Sequence, residues 1–309
     1  MEIEYAKVSA VGDRQDNQDR AAIVVADDAA IMLVFDGMGG HSDGARAAET
    51  GLKLVQAMFT SMQLPVFDPQ GFLYMALSRA HDAVVSIGTE LPVDFRPRAT
   101  CAICLIQESG TYWAHIGDSR IYHLRDGRVL SRSRDHSHVE VLIQEGAISE
   151  EEALDHPYRS AITRVLGTEE EVDVDTLTVP LHVGDLYLLC SDGLTSMVRD
   201  EEILALVEAH SGDVDTTAAE LVKAANAAGG EDNITLVLFE ITDGEPAAAA
   251  APGIAPSGPA QTPHPVARPT VDAPVTRSGP SAGSRWPALL LIATVVLIAG
   301  LLVLLGITR

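Results

Sequence analysis

Five consecutive apolar residues, Ile31 through Phe35, stop at Asp36 and are followed by Gly37, Met38, Gly39, Gly40 and His41. An unbroken run of this kind reads as a strand buried on both faces, and the glycines behind it free the backbone to turn sharply. A carboxylate at the rim of a core needs a reason. An Asp-Gly turn alone would supply one. The pattern recurs, however: Asp192-Gly193 ends "LYLLCSDG", Asp118 ends "YWAHIGDSR", and Asp232 stands just before the strand-like run from Ile234. Asp126-Gly127 is different, because it lies between Arg125 and Arg128 as the two-residue turn of a hairpin.

If the four strand ends converge, their like charges a few ångströms apart cannot all stay ionised without cations. The candidate ligands are all oxygen donors, with no thiolate or imidazole at matching positions, and this favours Mg²⁺ or Mn²⁺ over Zn²⁺ or Cu²⁺. Near the N-terminus, "GDRQDNQDR" adds Asp19 and a cation, Arg14. Metals held by carboxylates beside one positioned guanidinium suit phosphoryl chemistry, since the guanidinium can grip two phosphate oxygens.

The rest of residues 1 to 243 alternates between two textures. Strand-like runs cover 3–10, 20–26, 30–35, 100–107, 111–116, 119–125, 128–130, 173–179, 185–190 and 234–241, many joined by short turns, so much of the sheet should be antiparallel. Helical periodicity marks the stretch after Asp43, which can cap it, and the stretch from Asp68, with shorter helices at 137–145, 201–210 and 214–228. The expected architecture is α+β: two packed, mostly antiparallel sheets forming a β-sandwich, with helices on the outer faces.

Charge excludes one class of partner. The protein has 44 acids and 21 bases; only two of those acids and four of those bases lie beyond residue 243, leaving 42 against 17 and a net of −25 in residues 1 to 243. Nucleic-acid binding is driven by Lys and Arg displacing counterions, so no nucleic-acid partner is expected. The cysteines, Cys101, Cys104 and Cys190, are too few for a disulfide scaffold. Cys101 and Cys104 lie three apart on a strand, where they point to opposite faces, and read as buried thiols of a reducing compartment.

Beyond the globular part, residues 244–285 are rich in Pro, Ala, Gly, Ser and Thr and read as a flexible linker. Residues 286–307 hold no charge, and as a helix would span about 33 Å, one bilayer crossing. The N-terminus lacks an apolar signal region. The expectation is a single-pass transmembrane helix that anchors the protein in the inner cell membrane by its C-terminal end, with residues 1–243 in the cytoplasm.

The order of motifs resembles a family. Arg14 with Asn17-Gln18-Asp19, then "DGMGGH" at 36–41, "GDSR" at 117–120, "DHS" at 135–137, "ITRVLG" at 162–167, "LLCSDGL" at 188–194 and "GGEDNIT" at 229–235 are similar to the series of the PPM (type 2C) metal-dependent serine/threonine protein phosphatases, in their bacterial form. The resemblance covers about residues 3 to 241. It implies a dinuclear Mn²⁺ or Mg²⁺ centre bridged by Asp36, with the Gly37 carbonyl on one ion and Asp192 and Asp232 on the other. Asp19 would act largely through water, Asp118 would serve a weaker third ion, and Arg14 would bind phosphate. The implied reaction is hydrolysis of phosphoserine or phosphothreonine in proteins by a metal-activated water, opposing bacterial Ser/Thr protein kinases. A catalytically silent phosphatase-like binding module is the alternative, although such a relative should have lost one of Asp36, Asp192 or Asp232. A hydrolase of small phosphate esters is a third reading.

Two departures stand out. Met38 occupies the position where animal and plant relatives carry His, so no residue is assigned to protonate the leaving group, and His41 reads as a helix-start or packing residue. Gln18 stands where some relatives have Glu. The segment 137–163 matches the family's variable flap and reads either as a solvated helical hairpin or as a determinant of substrate choice. Arg164 reads as structural or as a substrate contact.

Overall fold

The computed structural model describes residues 1–39, 42–168 and 171–243. The linker expected at 244–285, the membrane helix expected at 286–307 and His41 lie outside the described residues. Among the described residues no helix is long and apolar enough to cross a membrane.

In sequence order run β1 (Glu2–Ala10), β2 (Arg20–Val25), β3 (Ala29–Phe35), β4 (Gly37–Met38), α1 (Ser42–Ser61) and α2 (Pro69–Ile87). There follow β5 (Arg98–Ala99), β6 (Cys101–Gln107), β7 (Gly110–Ile116), β8 (Arg120–Arg125), β9 (Arg128–Arg132), α3 (His138–Gln144) and α4 (Glu150–Leu154). The fold closes with β10 (Asp175–Val179), β11 (Leu186–Cys190), α5 (Asp192–Thr195), α6 (Asp200–Ala209), α7 (Val214–Ala227) and β12 (Ile234–Asp243). One five-stranded sheet has the order β1-β12-β11-β8-β9 and the other β10-β7-β6-β3-β2. Every pairing is antiparallel. The α+β sandwich read from the sequence is the fold observed.

Alternation along the strands builds three apolar layers. Ala30, Met32 and Val34 of β3 meet Tyr187 and Leu189 of β11 and Val237 and Phe239 of β12 between the sheets. Their neighbours Ile31, Leu33 and Phe35 face outward onto Val55 and Phe59 of α1 and Leu73 and Leu77 of α2. On the other outer face Leu188 and Leu236 pack under Leu194, Ile203 and Leu221. With helices over its outer face and the second sheet over its inner one, β3 is buried at all seven positions. A strand fixed from both sides cannot slip in register, and this is what aims Asp36.

The hairpin at Asp126-Gly127 forms as expected, with Arg125 opposite Arg128 and positive φ at both turn residues (49° and 66°). Cys101 faces the outer layer and Cys104 the inter-sheet layer; with Cys190 they are free and buried. Asp43 does not cap its helix: α1 begins at Ser42, which leaves Asp43 inside the first turn, where its charge favours the helix N-terminus. The short β4–β5 pair and the four-residue α5 have no counterpart in the sequence reading.

Candidate active site

One end of the sandwich gathers the acids. Asp36 follows β3, Asp118 lies in the link between β7 and β8, Asp192 opens α5 directly after β11, and Asp232 precedes β12. Asp19 precedes β2 and is 3% exposed. Asp36 lies within interaction range of both Asp19 and Asp192, and the like charges oppose one another's ionisation unless a cation is present. The Asp36 carbonyl accepts from Thr100 N at 2.8 Å, fastening the end of β3 to the start of β6.

Electrostatics give the same picture. Burial, reinforced by Asp19, Asp192, Asp118 and Asp232, pushes the Asp36 carboxyl well above its ordinary range. Burial raises Asp19 to about 7, against hydrogen bonds from Ser191 and Thr235. Asp192 rises to about 6, through burial and then Asp232. Asp118 is also held well above the ordinary range by burial and by Asp192 and Asp135. Two buried oxygens, Asp118 Oδ1 and Asp192 Oδ1, have no hydrogen-bond partner. Such a group is unfavourable as bare carboxylates and fits hard divalent cations. Among the described residues no three of these acids bring oxygens within 4.8 Å of one another.

Gly37 has no room for a side chain: a Cβ there would come within 2.0 Å of Gly44 O and 2.9 Å of Gln18 O. The strand end, the start of α1 and the Asp19 loop therefore meet backbone to backbone at this residue. Ser191 Oγ donates to Asp19 Oδ2 at 2.7 Å and thereby ties the Asp19 loop to β11. Arg14 is brought to the same rim, donating from Nη2 to Asp232 Oδ2 at 2.7 Å and from Nε to Glu231 O at 3.0 Å. All seven residues singled out in the sequence, Arg14, Asp19, Asp36, Gly37, Asp118, Asp192 and Asp232, thus belong to one end of the sandwich.

Just beneath lies a charged layer. Arg120, half-buried two residues after Asp118, donates from Nε and Nη2 to the two oxygens of Asp135 at 2.8 and 2.7 Å. Tyr122 OH and Arg132 Nη1 both donate to Asp200, at 2.8 and 2.6 Å. This gives the "GDSR" and "DHS" motifs a physical content: their Arg and Asp clamp the link that carries Asp118. Sequence reasoning assigned them no role, although the reciprocal charges were visible.

A different group, His115, His136 and Asp175, does bring ligand atoms within 4.8 Å of one another. Gly117 N donates to His136 Nδ1, which leaves the proton on Nε2, facing Asp175, and Arg164 Nη1 already neutralises Asp175 at 2.9 Å. Burial also holds His136 down at about 4, so the ring is neutral. His136 therefore presents no lone pair to a cation, and its buried Nε2, 3.4 Å from Asp175 Oδ2, has no hydrogen-bond partner. Arg164 also pairs with Asp173 at 3.1 Å, so here it braces the approach to β10.

The 137–163 segment is a helical hairpin. Ser137 caps α3, Ser149 and Glu152 form a capping box on α4, and α3 buries no residue. A bridge between Ser137 and Ile162 closes its base. Met38 is paired with Arg98 across the β4–β5 ladder.

Comparison with known proteins agrees with the geometry. A family model described as protein phosphatase 2C matches residues 8–235. The serine/threonine phosphatase stp of Listeria monocytogenes is 34% identical over 231 residues, 74% of this chain and 91% of that protein. PstP of Mycobacterium tuberculosis is 36% identical over 219 residues, 70% of this chain and 41% of that one. Among solved structures, the catalytic domain of PstP in complex with two manganese ions aligns with a TM-score of 0.67 at 31% identity, covering 78% of this chain and 99% of that one. Stp1 of Staphylococcus aureus aligns at 0.73 and 29%, covering 79% and 96%. With the match spanning most of the sandwich and both strand-end Asp-Gly motifs, the protein belongs to the protein phosphatase 2C family.

Proposed function

We propose that the protein is a metal-dependent serine/threonine protein phosphatase whose active site is the acidic rim around Asp36. The observation that carries this reading is the gathering of Asp19, Asp36, Asp118, Asp192 and Asp232 at one end of the sandwich, where their like charges oppose ionisation and two buried oxygens, Asp118 Oδ1 and Asp192 Oδ1, have no hydrogen-bond partner. Asp36 would be shared by two Mn²⁺ or Mg²⁺ ions, with Asp192, Asp232 and the Gly37 carbonyl completing their ligands, Asp19 acting through water and Asp118 serving a weaker third ion. When bound, the ions supply positive charge to the phosphoryl oxygens and acidify the water that attacks phosphorus.

The protein's own residues do the rest. Arg14 lies at the rim with 57% of its side chain exposed, where its guanidinium can donate to two phosphoryl oxygens in parallel. Ser191 holds Asp19 in place and is itself held by the Thr235 amide. The Arg120–Asp135 pair keeps the link bearing Asp118 from moving as charge changes at the rim. The phosphorylated side of a protein substrate would meet this exposed guanidinium first, and the buried acids behind it.

Residues 244–285 would tether the domain to a membrane helix at 286–307, holding it on the cytoplasmic face of the inner membrane, where phosphorylated proteins, Ser/Thr protein kinases among them, are its substrates. The uncharged 22-residue segment supports this. Release of phosphate from a phosphothreonine peptide by the full-length protein, with and without Mn²⁺ after chelator treatment, tests the activity. Metal-independent release, or none with Mn²⁺, would overturn it.

A further inference from the structure

The loop that carries Arg14 is bound by one side chain on both sides of that arginine. Asn233 is 4% exposed, and its Nδ2 donates to Val11 O at 2.8 Å and to Asp16 O at 3.0 Å, while its Oδ1 accepts from Gln18 N at 2.8 Å. Three of the four hydrogen bonds a carboxamide can make are thus spent on residues 11, 16 and 18. The same residue's backbone N donates to Asp232 Oδ1 at 2.7 Å. The other oxygen of Asp232 takes Arg14. Asn233 therefore fixes both ends of the Arg14–Asp232 contact, one through its side chain and one through its main chain.

The loop has little freedom of its own to hold this position. Gly12 adopts φ +62°, and a Cβ there would lie only 2.1 Å from Asp232 O, so the loop rests directly on the 230–232 backbone. Asp13 N donates to Gly230 O at 2.7 Å. These contacts set how close the loop lies, whereas the Asn233 amide, bonded on each side of Arg14, sets where along the rim the guanidinium emerges.

We propose that Asn233 is the positioning residue that sets Arg14 relative to Asp232, and through it the grip on the phosphoryl group. Asn233 touches no reacting atom. The inference rests on the reading of Arg14 as the phosphate ligand, and the test separates the two.

Full-length proteins carrying Asn233→Ala, Asn233→Asp, Arg14→Ala and the double change Asn233→Ala with Arg14→Ala are compared at saturating Mn²⁺. Readouts are kcat and KM on a phosphothreonine peptide, inhibition by inorganic phosphate, Mn²⁺ affinity, and hydrogen exchange at the Gln18 amide. Asn233→Ala should raise KM and weaken phosphate inhibition about ten-fold, with kcat changed less, the size expected for losing well-placed hydrogen bonds behind a charged ligand. Asn233→Asp sets an oxygen against two carbonyls and should do more. On the Arg14→Ala background the same Asn233→Ala change should alter KM by less than about two-fold, because its effect passes through Arg14. Mn²⁺ affinity should stay within about two-fold, since the carboxylates remain.

An equal loss in both backgrounds, or Mn²⁺ affinity falling in step with activity, would place the role of Asn233 at the metal ligands and overturn the inference. If Arg14→Ala raises KM and Asn233→Ala does not, the inference alone fails. If Arg14→Ala leaves KM and phosphate inhibition unchanged, the reading of Arg14 fails and takes the inference with it. Should the Asn233 variants not fold, hydrogen exchange of the unaltered protein decides: a slowly exchanging Gln18 amide supports the clamp, and a freely exchanging one contradicts it.

Discussion

Arg14 and Asp232, 218 positions apart in sequence, meet at 2.7 Å through Nη2 and Oδ2. The guanidinium has a fork of donors, and 57% of the side chain is open to solvent, so it can turn from a carboxylate to the oxygens of a phosphoryl group. A lysine keeps the charge and loses the fork. Arg14→Lys should raise KM for a phosphothreonine peptide about ten-fold, the loss of one charge-assisted hydrogen bond, with a smaller change in kcat. Steady-state kinetics at fixed Mn²⁺ check this.

Asp36→Asn separates stability from activity. Replacing the carboxyl with an amide removes a group whose ionisation burial, Asp19, Asp192, Asp118 and Asp232 all oppose, and with it the free-energy cost of keeping that group folded above its ordinary range. The metal-free variant at pH 7.5 should be more stable than the unaltered protein by about 1 kcal/mol, a rise of about 2–4 °C in melting temperature for a domain of this size. It should also be inactive with Mn²⁺. Calorimetry of chelator-treated protein tests the first statement.

The pH dependence of the metal-free protein has a defined sign. Asp19 sits at about 7 and Asp192 at about 6, against an ordinary 3.8. A carboxyl raised in this way binds more protons folded than unfolded, so its stabilising contribution is complete below about pH 4 and is lost as pH climbs toward 6–7. The metal-free protein should melt higher at pH 5 than at pH 7.5, and saturating Mn²⁺ should remove that difference. At pH 6, Mn²⁺ binding should release protons, measurable by calorimetry in buffers of different ionisation enthalpy, and the release should shrink at pH 8.

The charged layer under the rim predicts a structural phenotype. Asp135→Ala leaves the Arg120 guanidinium, with 19% of its side chain exposed, without its bidentate partner. Breaking this part-buried pair from one side costs about 1–3 kcal/mol, because Arg120 keeps Tyr122 OH and Asp200 as weaker partners. Denaturant unfolding should show a lower midpoint with an unchanged slope.

Much of the fold was legible because the strands are long and their burial patterns strict. β3 and β6, buried at every position, read as continuous apolar runs, and the β8–β9 turn follows from Asp126-Gly127. The two-residue strands β4 and β5 left no periodicity to find; they exist because Gly37 is pressed against Gly44 and Gln18 by the fold around it. The acids were visible as charges at the ends of apolar runs. How they are held was not legible, although Asn233, Ser191 and Arg120 stand within the quoted motifs: Asn233 and Ser191 act through contacts 217 and 172 residues away and Arg120 through a part-buried ion pair, and no local pattern specifies such pairings.

The most direct measurement is calorimetric titration of the chelator-treated protein with Mn²⁺, followed in the same samples by phosphate release from a phosphothreonine peptide, for the unaltered protein and for Asp36→Asn. Two tightly bound ions per molecule, with activity rising as they fill and both lost in Asp36→Asn, is the result predicted. Activity without bound ions, or two ions and full activity in Asp36→Asn, would contradict a dinuclear centre built on Asp36.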